Sequence, residues 1–191
     1  CVMALEEAGI TPEQGDILIT GASGGVGSVA VSLLAAKGYR VIAATGRESN
    51  RELLLQLGAK QVITRDELLT PIRALDKQLW AGAVDTVGSS VLAKILSQMN
   101  YGGAVAACGL AGGFDLPATV MPFILRNVRL QGVDSVMCPF ERRQQAWQQL
   151  AQLLPASFYD HACEEIILEE APEAAAKIMD GQITGRVVIK I

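Results

Sequence analysis

Short apolar segments alternate with helical patterns along most of the chain. Residues 16–20, Asp-Ile-Leu-Ile-Thr, have the short apolar pattern of a buried strand, and the apolar residues of 26–37 recur at helical spacing. Lys37 and Gly38 then provide a favourable charge and a helix-ending glycine. Five further strands are predicted at 40–44, 61–64, 83–87, 104–108 and 129–133. Helices are predicted at 2–8, 49–57, 66–80 (interrupted at Pro71), 90–99, 122–126 and 140–153.

Strands and helices that alternate in this way indicate an α/β fold with a parallel, doubly wound, six-stranded sheet and helices on both faces. Strands buried on both faces should be continuously apolar, as these are. The pattern changes after Pro155, where strands are predicted at 164–168 and 186–191 and a helix at 172–179. We therefore expect two parts, a six-stranded domain over 1–160 and a C-terminal segment over 161–191.

Composition and charge exclude several classes of protein. Half of the 191 residues are apolar, and the net charge is −4 with no basic run longer than Arg142-Arg143, so a nucleic-acid partner is not expected. The chain has neither an apolar stretch of membrane-spanning length nor a signal peptide, which predicts a cytoplasmic protein without a membrane partner. The four cysteines and the single histidine are too dispersed for a zinc site, so no metal is expected.

The most informative segment is the glycine-rich turn over 20–27, Thr-Gly-Ala-Ser-Gly-Gly-Val-Gly, between the first strand and the second helix. Against the pattern G-x-G-x-x-G, Ala22 takes the first glycine position, and Gly24 and Gly27 take the other two. Glycines at this point let the backbone approach a pyrophosphate, and the helix N-terminus adds a partial positive charge. This context, a strand before the turn and a helix after it, predicts a dinucleotide site.

The end of the second strand indicates which dinucleotide is bound. An NAD site usually has Asp or Glu there, but this chain has none at the strand end. Arg47 can bind a 2′-phosphate through its fork of N–H groups, and Thr45 and Ser49 can add hydroxyl hydrogen bonds. We therefore predict NADP as the cofactor, with Glu48 pointing outward. The alternative is that Arg47 is a solvated surface residue.

Two other nucleotide-binding families are excluded by their motifs. The turn contains no lysine, so it is not a phosphate loop. The spacing of its glycines also fits the short-chain dehydrogenases, but no tyrosine is followed four residues later by the lysine that their proton transfer needs.

Several segments resemble the medium-chain dehydrogenase/reductase superfamily, and in particular its zinc-free quinone oxidoreductases. These segments are 19–27, 57–59, 84–88 and 185–188. The segments 45–49, 108–114 and 121–135 more narrowly resemble the NADPH-dependent acryloyl-CoA reductases. The resemblance covers essentially all 191 residues.

The resemblance implies a protein with a GroES-like catalytic domain, a Rossmann domain and a C-terminal segment that returns to the catalytic domain. The first residue is Cys1 rather than Met and lies at a helical pattern, so we expect a Rossmann-domain piece of a longer, homodimeric parent. Its catalytic residues stay unknown. The implied activity is hydride transfer from NADPH to the activated C=C bond of a small molecule, such as an acryloyl-CoA-like thioester. The alternatives are an NADPH:quinone reductase and a dinucleotide-binding module without catalysis.

The resemblance also implies roles for single residues. The pyrophosphate turn is matched by Ser23, Gly24, Gly25 and Val26, and the 2′-phosphate contacts by Thr45, Gly46 and Arg47. Gln61 occupies the position where these reductases place an arginine near the adenine-side phosphate. Leu110, Ile124 and Ser135 match positions that line the nicotinamide half. For these three the alternative is structural: Leu110 and Ile124 as core residues, and Ser135 as a loop hydroxyl. Asp85, at the end of a strand, is expected to bond backbone donors.

Overall fold

Six parallel strands form the central sheet in the computed structural model, which describes all 191 residues. The strands are β1 (Asp16–Ile19), β2 (Val41–Thr45), β3 (Gln61–Thr64), β4 (Trp80–Asp85), β5 (Met99–Ala107) and β6 (Arg129–Gly132). Their order across the sheet is β3-β2-β1-β4-β5-β6, with every neighbouring pair parallel. The predicted doubly wound sheet is confirmed. Its strand order reverses between β1 and β4, whose following helices, Gly25–Ala36 and Ser89–Gln98, pack on opposite faces of the sheet, and in this class of fold ligands bind at the carboxyl end of such a reversal.

Eight helices accompany the strands. They are α1 (Val2–Glu7), α2 (Gly25–Ala36), α3 (Arg51–Gln56), α4 (Ser89–Gln98), α5 (Met121–Arg126), α6 (Phe140–Leu153), α7 (Ala156–Ala162) and α8 (Ala171–Met179). None of them is both long enough and apolar enough to cross a membrane.

Both faces of the sheet are buried, which explains the continuously apolar strands. Along β1, Ile17 and Ile19 pack into a core of 22 buried residues, whereas Leu18 packs into a second core of 14. The first core includes Leu34 of α2, and the second includes Ile95 of α4. Alternate side chains of a strand point to opposite faces, so a strand between two cores has no polar face.

The predicted helix over 66–80 is wrong. The structure has only a 3-10 turn at Arg65–Leu68, then irregular chain until β4 begins at Trp80. Pro71 lacks an N–H group and disfavours the helical conformation of the residue before it, so the helix cannot continue. Trp80 instead pairs with Asp16 of β1 and Met99 of β5, which draws it into the sheet.

The C-terminal residues form a separate two-stranded sheet. Strands β7 (Cys163–Ile167) and β8 (Arg186–Lys190) are parallel and pair only with each other. The helix α7, which the sequence analysis missed, spans the predicted boundary near residue 160. Its Phe158 and Ala162 are both buried in the 22-residue core. α7 therefore anchors the small sheet to the large one.

Candidate cofactor site

The glycine turn joins β1 to α2 at the carboxyl edge of the sheet. Gly21 has a φ of +56°, a backbone conformation that favours glycine. A Cβ atom on Gly27 would lie 2.3 Å from the carbonyl oxygen of Gly21. Only glycine therefore lets the first turn of α2 pack this closely on the chain that leaves β1, as expected for the third glycine of the motif.

The first backbone N–H groups of α2 are free to bind an anion. Those of Gly25, Val26 and Gly27 donate to no backbone carbonyl, as is usual for the first turn of a helix. The side chain of Val26 is 51% exposed, so this end of the helix opens to solvent. The structure thus brings Gly24, Gly25 and Val26 together at a site suited to a pyrophosphate.

Ser23 and Thr45 connect the turn to the end of β2. Their hydroxyl oxygens are 3.1 Å apart, and both side chains are buried. The Thr45 hydroxyl also accepts the backbone N–H of Arg47 at 3.2 Å. Thr45 therefore supports the conformation of the site from inside, whereas Ser49 is exposed. Glu48 is exposed and pairs with Arg51 at 3.6 Å, so it points outward as predicted.

Arg47 is bound to the backbone of a distant segment. Its two terminal nitrogens donate to the carbonyl oxygens of Gln182 and Ile183, each at 2.8 Å. The residue is half-buried. The alternative interpretation, a solvated surface arginine, does not describe this side chain.

Arg65 is a site residue that the sequence analysis missed. It directly follows β3, whose last residue Thr64 pairs with Thr45 of β2. The central carbon of its exposed guanidinium would lie 3.4 Å from a Cβ built on Gly46. A cation therefore lies beside the end of β2, where an adenosine 2′-phosphate would be placed. A basic residue just after the third strand was the signal for it.

Gln61, in contrast, does not reach this site. It begins β3 and pairs with Ile42, three residues before the end of β2. Each strand residue advances about 3.3 Å, so Gln61 lies about 10 Å from the carboxyl edge. The adenine-side contact assigned to position 61 is geometrically available to Arg65 instead.

Arg186 is a second missed cation. A Cβ on Gly25 would lie 2.8 Å from one terminal nitrogen of Arg186, so this side chain lies directly on the glycine turn. The neighbouring Gly185 donates its N–H to the carbonyl oxygen of Ser23 at 2.8 Å. The pair Gly185-Arg186 belongs to a segment that carried the family resemblance, but only the structure places it at the turn.

The three residues expected on the nicotinamide side belong to three different parts of the chain. Leu110 follows β5 and Ile124 lies on α5, and they are 67% and 74% exposed, so neither is a core residue. Ser135 is exposed and lines a cavity of about 470 Å³ between α1, the end of β6 and α6. Its carbonyl oxygen accepts a hydrogen bond from Arg143 at 2.6 Å.

Asp85 stabilises the point where the strand order reverses. Its fully buried carboxylate accepts the Thr20 hydroxyl at 2.6 Å and the Gly88 backbone N–H at 2.8 Å. It therefore ties β4 to β1 and bonds backbone donors, as predicted. Nearby Cys108 directly follows β5, and burial raises the pKa of its thiol, which disfavours the nucleophilic thiolate.

A doubly wound sheet, a glycine turn at a helix N-terminus and cations beside β2 define a dinucleotide-binding domain of a dehydrogenase. A family model described as zinc-binding dehydrogenase matches residues 25–155, and the chain belongs to this family. The resemblance to medium-chain dehydrogenases and reductases is thereby confirmed.

Relatives with assigned names narrow the comparison. The chain is 64% identical over 191 residues to the probable acrylyl-CoA reductase AcuI of Escherichia coli, covering 100% of this chain and 59% of the relative. The putative quinone oxidoreductase YhfP of Bacillus subtilis is 47% identical over 192 residues, with coverages of 100% and 58%. The chain thus spans about three fifths of the length of these relatives.

Two solved structures are close in fold. One is E. coli YhdH with bound NADPH, with a TM-score of 0.97, 65% identity and coverage of 100% of this chain and 58% of that chain. The other is B. subtilis yhfP with NAD bound, with a TM-score of 0.95, 46% identity and coverages of 100% and 58%.

The zinc in the family's description does not fit the residues of this chain. No three His, Cys, Asp or Glu side chains lie together in a group that could hold a metal ion.

Proposed function

We propose that this chain binds NADPH as the dinucleotide-binding part of a reductase that acts on an activated C=C bond, most favourably an acryloyl-CoA-like thioester. The observation that carries the proposal is that the glycine turn, Arg47 and Arg65 surround the end of β2, a strand that contains no carboxylate. The names of the AcuI and YhdH relatives support both the cofactor and the substrate class.

The pyrophosphate would bind at the N-terminus of α2. The free N–H groups of Gly25 and Val26 would donate to its oxygens, and the partial charge of the helix would favour the anion. Arg186 lies against the same turn and adds a full positive charge. Ser23, whose hydroxyl is bonded to Thr45, holds the turn in this conformation.

The 2′-phosphate would bind between two guanidinium groups. Arg65 is exposed beside Gly46, at the carboxyl edge of the sheet. Arg47 uses two N–H groups on the carbonyls of Gln182 and Ile183, and a guanidinium carries five. Three of its N–H groups are therefore left for the phosphate, and the exposed Ser49 adds a hydroxyl at the same strand end.

When bound, NADPH supplies the hydride, which goes to the β-carbon of the substrate while the α-carbon receives a proton. The residues of this chain bind and orient the cofactor and exclude water. Leu110 and Ile124 are exposed apolar side chains suited to covering a nicotinamide ring, and Ser135 offers a hydroxyl at the cavity beside β6. No side chain of the described site is assigned as proton donor.

We further propose that residues 161–191 pack against a catalytic domain in the complete protein, with residues 1–160 as the cofactor domain. The support is that β7 and β8 pair only with each other and leave apolar Val188 and Ile189 substantially exposed. The longer relatives have room for such a domain. We also propose that the complete protein is a homodimer and that it is located in the cytoplasm.

The decisive experiment titrates the protein with NADPH and NADH by nicotinamide fluorescence, then follows nicotinamide absorbance with acryloyl-CoA or a quinone. The complete protein should oxidise NADPH with acryloyl-CoA, whereas the 191-residue chain should bind NADPH without turnover. Turnover only with a quinone would favour the quinone reductase that the name of YhfP suggests. Cofactor binding without turnover of either substrate by the complete protein would favour a non-catalytic module.

A further inference from the structure

Residues 182–186, here called the return segment, connect the C-terminal unit to the cofactor site. The N–H group of Gly185 donates to the carbonyl oxygen of Ser23 at 2.8 Å. The hydroxyl of Thr184 lies 3.3 Å from the side-chain oxygen of Asn50, in the turn before α3. The return segment is thus held at both the glycine turn and the chain that follows β2.

Arg47 provides the charged part of this attachment. Its two bonds to the carbonyls of Gln182 and Ile183 join residues that are 135 and 136 positions apart in the chain. Bonds from a guanidinium are stronger than those between neutral groups. Arg47 therefore holds a segment that has no strand pairing to the large sheet.

Arg47 lies two residues after the end of β2. In this fold, the ribose of a bound dinucleotide lies at that strand end. Three of the five N–H groups of Arg47 stay free when the two carbonyls are bound. A phosphate bound to the free N–H groups would fix the same rotamer that the carbonyls require. The entropy cost of ordering the Arg47 side chain is then incurred only once. Binding of the phosphate therefore favours the bonds to the two carbonyls, and those bonds favour binding of the phosphate.

We propose that Arg47 is a positioning residue that couples occupancy of the 2′-phosphate site to docking of the return segment. NADPH tightens the return segment on the turn, and NADH, which lacks the 2′-phosphate, does so less. Because Arg186 belongs to the same segment and lies against Gly25, tighter docking also holds a cation at the pyrophosphate turn. The proposal rests on the proposed function, since it requires a 2′-phosphate beside β2.

Arg65 offers a matched comparison. It lies beside Gly46 at the same strand end, but the side-chain bonds to the return segment are made by Arg47 and Asn50 and not by Arg65. Replacing Arg65 should weaken NADPH binding without loosening the segment in the cofactor-free protein. Replacing Arg47 should do both. Arg47→Lys keeps the positive charge but loses the planar fork, so it separates charge from bridging geometry.

The test is amide hydrogen exchange at Gly185, followed by NMR in the cofactor-free protein and at saturation with NADH or NADPH. Arg47→Ala and Arg47→Lys should each accelerate exchange in the cofactor-free protein, by about tenfold for the alanine variant. NADPH should slow exchange at Gly185 more than NADH in the unmodified protein and in Arg65→Ala. This excess protection by NADPH should disappear in both Arg47 variants.

Three outcomes would overturn the proposal. Unchanged exchange at Gly185 in cofactor-free Arg47→Ala would show that the two carbonyl bonds do not hold the segment. Equal protection by saturating NADPH and NADH would show that docking is not coupled to the 2′-phosphate, while leaving NADPH binding itself intact. Absence of NADPH binding in the fluorescence titration would overturn the proposed function and the coupling together.

Discussion

The hydroxyl oxygens of Ser23 and Thr45 share a buried hydrogen bond of 3.1 Å that joins the glycine turn to the end of β2. The two elements that would hold the pyrophosphate and the 2′-phosphate of the cofactor are therefore fixed relative to each other. A second bond, from the Ala22 N–H to the Ala44 carbonyl at 3.1 Å, runs alongside it. The geometry of the cofactor site consequently depends on a polar contact inside the sheet edge.

Thr45→Val should destabilise the protein and weaken NADPH binding. Valine keeps the shape of threonine but leaves the Ser23 hydroxyl buried without its partner, which costs about 1–3 kcal/mol. Urea unfolding should give this loss for Thr45→Val, a similar loss for Ser23→Ala, and less than their sum for the double variant. Additive losses would show that the two hydroxyls do not interact.

Arg65→Ala should reduce the preference for NADPH over NADH. One charge-assisted contact to the 2′-phosphate is worth about 1.5–3 kcal/mol, which corresponds to roughly 10- to 150-fold in affinity. Fluorescence titration should show weaker NADPH binding with little change for NADH. Arg40→Ala is the control, because Arg40 is an exposed arginine that pairs with Asp16 at the amino edge of the sheet. An unchanged preference in Arg65→Ala would remove Arg65 from the phosphate site.

Gly25→Val should abolish cofactor binding and leave the fold largely intact. The added side chain would meet the terminal nitrogen of Arg186 at 2.8 Å, and this flexible side chain can move aside. The branched methyl groups would nevertheless cover the N–H groups that a pyrophosphate needs. Circular dichroism should show an unchanged helix content while the NADPH titration shows no binding, and Gly25→Ala should give an intermediate affinity. Normal NADPH affinity in Gly25→Val would contradict the role given to the turn.

Local patterns predicted the fold because each element carries its own signal. The helix predicted at 140–153 has the same bounds in the structure, and the glycine turn lies where the motif placed it. Helix α7 was missed because its stability comes from burying Phe158 in a core built by distant residues. The helix predicted at 66–80 failed because sheet pairing of Trp80 outweighed a helical pattern that Pro71 had already weakened.

The sequence predicted the part of the candidate site that is local in the chain, but not the part that distant segments bring to it. Residues of the glycine turn are adjacent in sequence, so a motif identifies them together. Arg65 reaches the site through the register of β3 against β2, in which Thr64 pairs with Thr45. The return segment arrives from more than 130 residues away. A local pattern contains neither strand register nor long-range contacts, so it pointed to Gln61 at the start of β3 and not to Arg65 just after its end.

An ion pair between α4 and the irregular chain before β4 holds that chain in place. Lys94 of α4 is almost fully buried and donates to the carboxylate of Asp76 at 2.6 Å and to the Pro71 carbonyl at 3.1 Å. The hydrogen bond from Lys94 lowers the pKa of Asp76 below its usual value. A carboxylate with a lowered pKa in the folded state stabilises that state above its unfolded pKa, about 3.9 for aspartate, and loses this contribution as pH falls through the folded value.

Asp76→Asn should therefore lower the free energy of unfolding at about pH 7, because it leaves the buried Lys94 ammonium without a counter-charge. The difference from the unmodified protein should begin to narrow as pH falls below about 3.9, where the unfolded chain protonates Asp76, and should be lost as pH falls through the lowered pKa of Asp76 in the folded protein. Urea unfolding at a series of pH values between about 7 and 3 measures this difference in the free energy of unfolding. Glu173→Gln is the control, since the exposed pair of Glu173 with Lys177 contributes little. A difference for Asp76→Asn that stays constant between about pH 7 and pH 3 would show that the Asp76 charge is not what stabilises this segment.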